Sequence, residues 1–185
     1  GYTNAWEGRI LRRLKRLEAV PDPLARARAA VAITAATEHF TAIFAQHLLE
    51  HPQAVEGAPA RLQTLWMWHA SEESEHRSVA FDVYRALGGN DVWRRRFMRI
   101  VTWHFTTDVL RQTARNLRHD GELFRWRTWK SAASFFFGEH GLVRHCFKPW
   151  RAYFEPGFHP SQQDARLAAD WLAQHEGSFS VVAAR

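Results

Sequence analysis

Residues 59–87, PARLQTLWMWHASEESEHRSVAFDVYRAL, form the stretch that decides the fold. Pro59 suits the first turn of a helix, and Gly88 and Gly89 follow its end, so we expect one helix over 59–87. At 100° per residue, six apolar side chains lie on the same side of this helix as His69. They are Leu62, Leu65, Trp66, Ala80, Val83 and Leu87. This stripe predicts that the helix packs against a core.

Four ionisable residues interrupt the middle of the stripe: His69, Glu72, Glu73 and His76. A carboxylate on a buried face has to be paired, protonated or bound to a metal ion. His69, Glu73 and His76 follow an H-x-x-x-E-x-x-H spacing, which brings their side chains together beside the helix. Glu-x-x-His is also the ligand pair of ferritin-like di-metal bundles. We therefore predict that these three residues bind a metal; the alternative is a helix surface that carries a few charges.

The preceding helix, predicted over 23–50, supplies a further candidate in Glu38. Its neighbours on the same face are small or apolar, and they are Val31, Thr34, Ala35, Thr41, Ala42, Ala45 and Leu49. Small neighbours allow a second helix to approach closely. Glu38 is the one acid on that face, so it is either a metal ligand or the partner of one of the 22 arginines. His39 lies 100° away and is less suited to the same site.

Three runs of residues carry a resemblance to a known family. They are TAATEHFTA (34–42), LWMWHASEESEHRSVAFDVYRALGG (65–89) and YFEPGFHP (153–160). In these runs the chain resembles the bacterial family named predicted metal-dependent hydrolases, and the resemblance extends from about Ile10 to Trp171. It implies an all-α fold, a ferritin-like helical bundle that holds a dinuclear metal site.

The metal ligands that the resemblance implies are Glu38, His69, Glu73 and His76. Glu72 and Asp82 match further acids of the family's motif, without an assigned role. A dinuclear site of this kind takes a second glutamate and a second Glu-x-x-His pair from two further helices. No histidine precedes His39. We therefore expect a bundle that is incomplete at its N-terminus.

The predicted site suits two alternative reactions, oxidation and hydrolysis. Iron, dinuclear if the remaining ligands exist, would favour oxygen chemistry as in di-iron oxygenases and oxidases. Zinc and manganese are the alternatives, and zinc would favour hydrolysis. Because the chain has neither H-E-x-x-H nor G-x-S-x-G, a thermolysin-like protease and a serine hydrolase are not expected. We expect a metal-dependent enzyme that acts on a small-molecule or lipid-like substrate.

A basic, aromatic segment supports a different class of function. Residues 93–154 hold 13 basic and four acidic residues together with 14 of the 25 aromatic residues. The arginines of one cluster are Arg94, Arg95, Arg96 and Arg99, and the nearby tryptophans are Trp93, Trp103, Trp126 and Trp129. This composition suits an interfacial helix on anionic lipid, although a solvated arginine face over an aromatic core is the simpler interpretation. A non-catalytic peripheral membrane or interaction protein that keeps half a metal site is the alternative to the enzyme.

The composition places the 185 residues in one helical domain. With 46% hydrophobic and 24% charged residues, the chain is neither disordered nor fibrous. Cys146 is the one cysteine, which excludes a disulfide framework, and no apolar run reaches the roughly 20 residues of a membrane span. We expect a domain over 1–176, a frayed tail over 177–185, and a cytoplasmic or membrane-associated location. Nucleic acid is not an expected partner, and a homodimer is a further hypothesis.

The remaining helix boundaries follow from caps and breakers. An Asn4–Glu7 capping box is expected to open a short helix that ends near Ala19. Further helices are expected over 90–118 and 161–175. Between 122 and 153 the pattern predicts shorter helical pieces, because glycines and a proline interrupt it.

Overall fold

The computed structural model describes residues 6–178, and every regular element within them is helical, as the sequence predicted. The α-helices are α1 (Glu7–Glu18), α2 (Pro23–Glu50), α3 (Ala60–His76), α4 (Val79–Ala86), α5 (Asp91–His119), α6 (Trp126–Phe137), α7 (Leu142–Ala152) and α8 (Arg166–Gln174). Short 3-10 turns cover Pro52–Val55, Pro160–Gln162 and Glu176–Ser178. The predicted all-α helical bundle is therefore confirmed.

Helix α2 is the centre of the packing, because it contacts α1, α3, α4, α5, α7 and α8. It begins where Asp22 Oδ1 accepts a hydrogen bond from the Leu24 N–H at 3.0 Å, with Pro23 in its first turn. It ends before Pro52, since the residue that precedes a proline avoids the α conformation. Its buried face is rich in alanine: Ala32, Ala35, Ala36, Ala42 and Ala45. These small side chains let the neighbouring helices approach closely.

The helix predicted over 59–87 is two helices, α3 and α4, in the structure. Arg77 lies in the break, where its buried guanidinium donates to the backbone carbonyls of residues 163–164 at 2.5 and 3.2 Å. The Ala80 N–H, in the first turn of α4, donates to the Glu38 carboxylate at 3.3 Å. Contacts with residues distant in sequence therefore satisfy polar groups at the break. The periodicity of the sequence could not predict these contacts.

The apolar stripe does not face the core formed by the described residues, and this part of the prediction is wrong. Four of its members are 44–52% exposed: Leu62, Leu65, Trp66 and Val83. The buried residues of α3 are Met67, Ala70, Ser71 and Ser74. Both serine hydroxyls donate to carbonyls of their own helix at 3.0 Å, so this small-residue face packs without unsatisfied hydroxyl groups. Ala80 of the stripe is buried, as predicted.

A buried arginine fixes the loop 153–160. Arg94 is 1% exposed and donates to the carbonyl oxygens of Tyr153 and Glu155. Its guanidinium carbon lies 5.0 Å from the ring centroid of Tyr153 and 5.7 Å from that of Phe158. The Asp91 carboxylate, 3.2 Å from Nε, compensates the buried charge together with these carbonyl oxygens and ring faces. Arg94 is therefore not a member of an exposed basic cluster, in contrast to the prediction.

Two boundary predictions fall at the ends of the chain. Asn4 and residues 179–185, the larger part of the predicted tail, lie outside the described residues. Helix α8 begins at Arg166 and not at 161, because His159 Nδ1 accepts the Ser161 N–H and caps a 3-10 turn instead. Within residues 6–178, no helix combines the length and the hydropathy that a membrane span requires.

Candidate metal centre

Glu38 is a half-buried carboxylate that reaches from α2 towards the break between α3 and α4. Burial raises the pKa of Glu38, and the hydrogen bond from the Ala80 N–H lowers it. The charge of Glu73 raises the same pKa, the charge of His76 lowers it, and the net shift is upward. The fold therefore places Glu73 and His76 near enough to Glu38 for their charges to act on its carboxylate.

The alternative interpretation of Glu38 was an ion pair with arginine. None of the ion pairs formed within residues 6–178 includes Glu38. The one hydrogen-bond partner of its carboxylate within these residues is the Ala80 N–H. The structure therefore gives no support to an arginine partner and leaves the second carboxylate oxygen available as a ligand.

His69 and Glu73 lie one turn apart on α3. Nε2 of His69 is 3.6 Å from Oε1 of Glu73. Two ligand atoms that are each about 2.0–2.2 Å from a tetrahedral metal lie about 3.4 Å apart. The two side chains are 49% and 27% exposed, so a metal between them would be reachable from solvent. Their spacing fits a shared metal with little movement.

The four predicted ligands are arranged less compactly than the His69–Glu73 pair alone. His76 is exposed, and within residues 6–178 the ligand atoms of these four side chains do not converge as those of a compact metal site do. Two imidazoles and two carboxylates are nevertheless donors that suit zinc, iron or manganese. The residues therefore fit a metal by donor type and by the His69–Glu73 spacing.

Asp82 and His159, which belong to two of the quoted sequence runs, pair with each other. Nε2 of His159 lies 2.8 Å from Oδ1 of Asp82. The other ring nitrogen, Nδ1, accepts the Ser161 N–H at 3.2 Å, so Nε2 carries the proton that it donates to Asp82. This pair ties α4 to the loop 153–160. Glu72, the remaining motif acid, is half-buried on α3.

His39 is a core residue and not a member of the site. Its Nε2 donates to the Pro149 carbonyl at 3.0 Å, and its ring lies 4.7 Å from that of Tyr153. Burial lowers the pKa of His39 to about 4, although the Pro149 hydrogen bond opposes the shift. A neutral histidine of this kind joins α2 to the end of α7, which agrees with the sequence interpretation.

A second group of donors, which the sequence analysis did not find, lies at the end of α2. His47, His51 and His145, called here the histidine cluster, each offer a ligand atom within 4.8 Å of the other two. His51 is buried and the other two are half-buried. Burial lowers the pKa of His47, and the charges of His51 and His145 lower it further. The i, i+4 spacing of His47 and His51 was a signal in the sequence, but the position of His145 on α7 was not.

Two neighbours border the histidine cluster. The ring of His140 lies 5.0 Å from the ring of His51. Cys146 is half-buried, and burial raises the pKa of its thiol to about 12. Cys146 is therefore a packed, protonated thiol at the edge of the histidine cluster.

Comparison with known proteins identifies the family of the chain. A family model described as predicted metal-dependent hydrolase matches residues 2–164. The chain belongs to this family. The match confirms the resemblance found in the sequence, and a metal-dependent family supports a metal cofactor. Comparisons with curated proteins and with solved structures give no match.

The residues matched by the predicted metal-dependent hydrolase model contain both groups of donors. Glu38, His69, Glu73 and His76 lie within them, as does the histidine cluster. Helix α8 lies beyond the matched residues. Both candidate sites are therefore part of the region that defines this chain as a predicted metal-dependent hydrolase.

Proposed function

We propose that this chain is a metal-dependent hydrolase whose metal is bound by Glu38, His69, Glu73 and His76. The observation that supports the proposal most directly is the environment of Glu38. This carboxylate has no arginine partner within residues 6–178, and burial, together with the smaller effect of the Glu73 charge, raises its pKa. Two neighbouring carboxylates repel each other, and a cation between them removes that repulsion.

The protein residues have separate roles in this proposal. Glu38 and Glu73 provide the negative charge that balances the cation, while His69 and His76 bind as neutral imidazoles. The Ala80 N–H holds one oxygen of Glu38 and orients the other. A bound metal would supply a Lewis acid that lowers the pKa of a water molecule and polarises the bond to be hydrolysed.

The surroundings of the site favour a substrate with an apolar part. Leu62, Leu65 and Trp66 are 45%, 52% and 51% exposed on α3. The Trp66 ring lies 6.1 Å from the His69 ring, so an apolar surface borders the proposed metal ligands directly. An acyl chain would cover this surface while its ester group reached His69. We therefore propose a small lipid-like ester as the substrate class.

A dinuclear, oxidative centre is the alternative function. Residues 6–178 provide one glutamate and one Glu-x-x-His pair, which is half of a ferritin-like set. Further helices that pack on the exposed apolar face of α3 would supply the second half of the ligand set. These helices would come from a second copy in a homodimer or from other residues of the protein. In that form iron or manganese would be the expected metal, and an oxidase would be the expected enzyme.

Metal analysis of protein purified without chelator tests the proposed ligands. All samples carry His145→Ala, so that the histidine cluster contributes no metal. We expect metal content to fall roughly tenfold or more in a His69→Ala/His76→Ala variant, because two ligands are lost. A Glu75→Ala/His119→Ala variant, with two exposed residues replaced, is the matched control. Equal metal content in both variants would overturn the ligand assignment.

Activity assays separate the two reactions. Zinc-loaded protein is tested on esters of increasing acyl length, and iron-loaded protein is tested for oxygen uptake. Ester hydrolysis that increases with acyl length and disappears in Glu73→Leu supports the proposal. Oxygen uptake by the iron form without any ester hydrolysis would favour the oxidase.

Binding to an anionic membrane surface is a second candidate function, supported by exposed aromatic residues. Trp103, Phe124 and Trp126 are 69%, 92% and 76% exposed. The guanidinium carbon of Arg96 lies 4.8 Å from the ring centroid of Trp93, so a cation and a ring are adjacent near the start of α5. Tryptophan and arginine side chains of this kind suit the headgroup region.

Vesicle sedimentation tests the membrane proposal. Binding to anionic vesicles should exceed binding to neutral vesicles and should weaken at high salt. An Arg95→Ser/Arg96→Ser/Arg99→Ser variant should lose roughly 3 kcal/mol of binding, at about 1 kcal/mol for each arginine. Arg94 is left in place because it is buried. Sedimentation that responds neither to salt nor to the variant would contradict the proposal.

A further inference from the structure

The histidine cluster lies on the opposite side of α2 from Glu38. His47 follows Glu38 by nine residues, which is two and a half helical turns and about 14 Å along the axis. One metal ion therefore cannot be shared between the two groups. We propose that His47, His51 and His145 form a second metal site, which takes a divalent transition-metal ion that prefers imidazole ligands, zinc in the first place.

The positions of the donor atoms favour a metal at this point. The three ligand atoms lie within 4.8 Å of one another, on residues from α2, from its C-terminal cap and from α7. In a tetrahedral zinc site with Zn–N bonds of about 2.0–2.1 Å, the nitrogens lie about 3.4 Å apart. Each imidazole has to move towards the common centre by less than about 1 Å to reach this geometry. Small side-chain rotations are sufficient for such a movement.

Backbone carbonyls fix the tautomers of two of the three rings. Nδ1 of His51 lies 2.9 Å from the carbonyl oxygen of His47, and Nε2 of His145 lies 3.2 Å from that of Glu139. A carbonyl can only accept, so each of these ring nitrogens carries the proton. The lone pairs are then on Nε2 of His51 and on Nδ1 of His145. Orientation of a ligating histidine through its other nitrogen is a common feature of metal sites.

His47 has a polar atom that a metal would satisfy. Its Nδ1 is buried and has no hydrogen-bond partner within the described residues. Its ring centroid lies 4.5 Å from that of His51 and 5.6 Å from that of His145. A buried donor or acceptor without a partner is unfavourable, and a cation bound at the cluster removes the cost.

A cleft borders the proposed site. The cleft has a volume of about 420 Å³, and His47 and His145 line it together with Glu50, Cys146 and Lys148. Three protein ligands and one open position are the arrangement of catalytic zinc sites, whereas structural sites have four protein ligands. The inferred site therefore has room for water or a small ligand on the metal.

Zinc titration against a chromophoric chelator tests the inference. The protein used carries His69→Ala/His76→Ala, so failure here is independent of the site in the proposed function. We expect one strong zinc site, with affinity at least roughly a hundredfold lower after His145→Ala. His140→Ala is the matched control, because His140 is adjacent but outside the cluster, and it should change affinity only a few-fold. Equal affinity in all three proteins would overturn the proposal.

A measurement on the unsubstituted chain tests the same site without relying on variants that could misfold. Long-range ¹H–¹⁵N spectra of the imidazoles are recorded while zinc is added. Nε2 of His51 and Nδ1 of His145 should show the change expected for metal-bound nitrogen, and the His140 and His119 rings should not. If zinc leaves the resonances of the histidine cluster unchanged, the second site does not exist.

Discussion

Asp108 on α5 and Glu38 on α2 are two carboxylates on helix faces, and they differ in the charged side chains around them. Asp108 forms ion pairs of 2.7 and 2.6 Å with Arg9 and Arg13 of α1. Glu38 has no ion pair within the described residues, and burial raises its pKa, with a smaller upward effect from a second carboxylate, Glu73. Among residues 6–178, arginines therefore pair with a carboxylate that joins two helices, but not with Glu38.

The electrostatic consequences of the two environments are opposite. Burial raises the pKa of Asp108, but the hydrogen bond from Arg13 and the charges of Arg13 and Arg9 lower it more, so the net shift is downward. For Glu38 the net shift is upward. A carboxylate that lies near a second carboxylate, and that has no arginine partner among the described residues, has the environment expected of a metal ligand. The contrast supports a structural role for Asp108 and the proposal that Glu38 is a metal ligand.

The largest expected effect on stability is that of Asp108→Asn. The substitution leaves two arginines without their buried partner, and we expect a loss of about 2–3 kcal/mol, because the arginines are partly exposed. Metal content should remain that of the unsubstituted protein. Urea denaturation in chelator gives the first quantity and elemental analysis the second. Loss of metal without loss of stability would reverse the roles assigned to the two carboxylates.

The same ion pairs predict a pH dependence. The folded-state pKa of Asp108 is below its unfolded value, so the stabilisation is fully present above the unfolded value of about 4. It is lost as the pH falls through the folded value. The stability difference between the unsubstituted protein and Asp108→Asn should therefore shrink between about pH 5 and pH 2. A difference that stays constant over this range would show that the charge of Asp108 is not what stabilises the contact.

Glu38→Gln should show the converse behaviour. The amide oxygen can still accept the Ala80 N–H, so the stability of the metal-free protein should change by less than about 1 kcal/mol. Metal affinity should fall at least roughly tenfold, which is about 1.4 kcal/mol, because the negative ligand is lost. Metal titration of a His145→Ala background measures the affinity. A large loss of metal-free stability with unchanged affinity would make Glu38 a structural residue like Asp108.

The smallest expected effect is that of Glu73→Leu on the metal-free protein. Removing a carboxylate that faces another carboxylate relieves repulsion, but the Glu73 side chain is 27% exposed. We therefore expect a stabilisation of less than about 1 kcal/mol, together with loss of the metal. Thermal melts in excess chelator measure the first effect. A clear destabilisation would identify Glu73 as part of a structural contact.

The sequence predicted the structural features that depend on residues within a single helix. The bounds of α2, Pro23–Glu50, follow from Asp22 and Pro52, which act within a few residues of the helix ends. The spacing of His69 and Glu73 on α3 predicted their approach in the same way. Side chains one turn apart are neighbours in any helix, so such pairs need no tertiary information.

The failures concern contacts between distant segments. The break between α3 and α4 depends on carbonyls of residues 163–164 and on the Glu38 carboxylate, neither of which is close in sequence. The burial of Arg94 depends on the carbonyls of Tyr153 and Glu155. The histidine cluster needs His145 to pack against the end of α2. Helical periodicity depends on residues within one helix and therefore predicts none of these contacts. The apolar stripe was placed in a core for the same reason, because its position relative to the other helices does not follow from periodicity.

The most direct test of the central claim is the anomalous difference density of crystals of the metal-loaded protein, collected at the absorption edge of the bound metal. We predict a peak within bonding distance, about 2.0–2.2 Å, of ligand atoms of Glu38, His69, Glu73 and His76. This peak should persist in crystals of His145→Ala. Anomalous density that lies only at the histidine cluster, or at neither group of donors, would contradict the assignment of Glu38 and its neighbours as the metal centre.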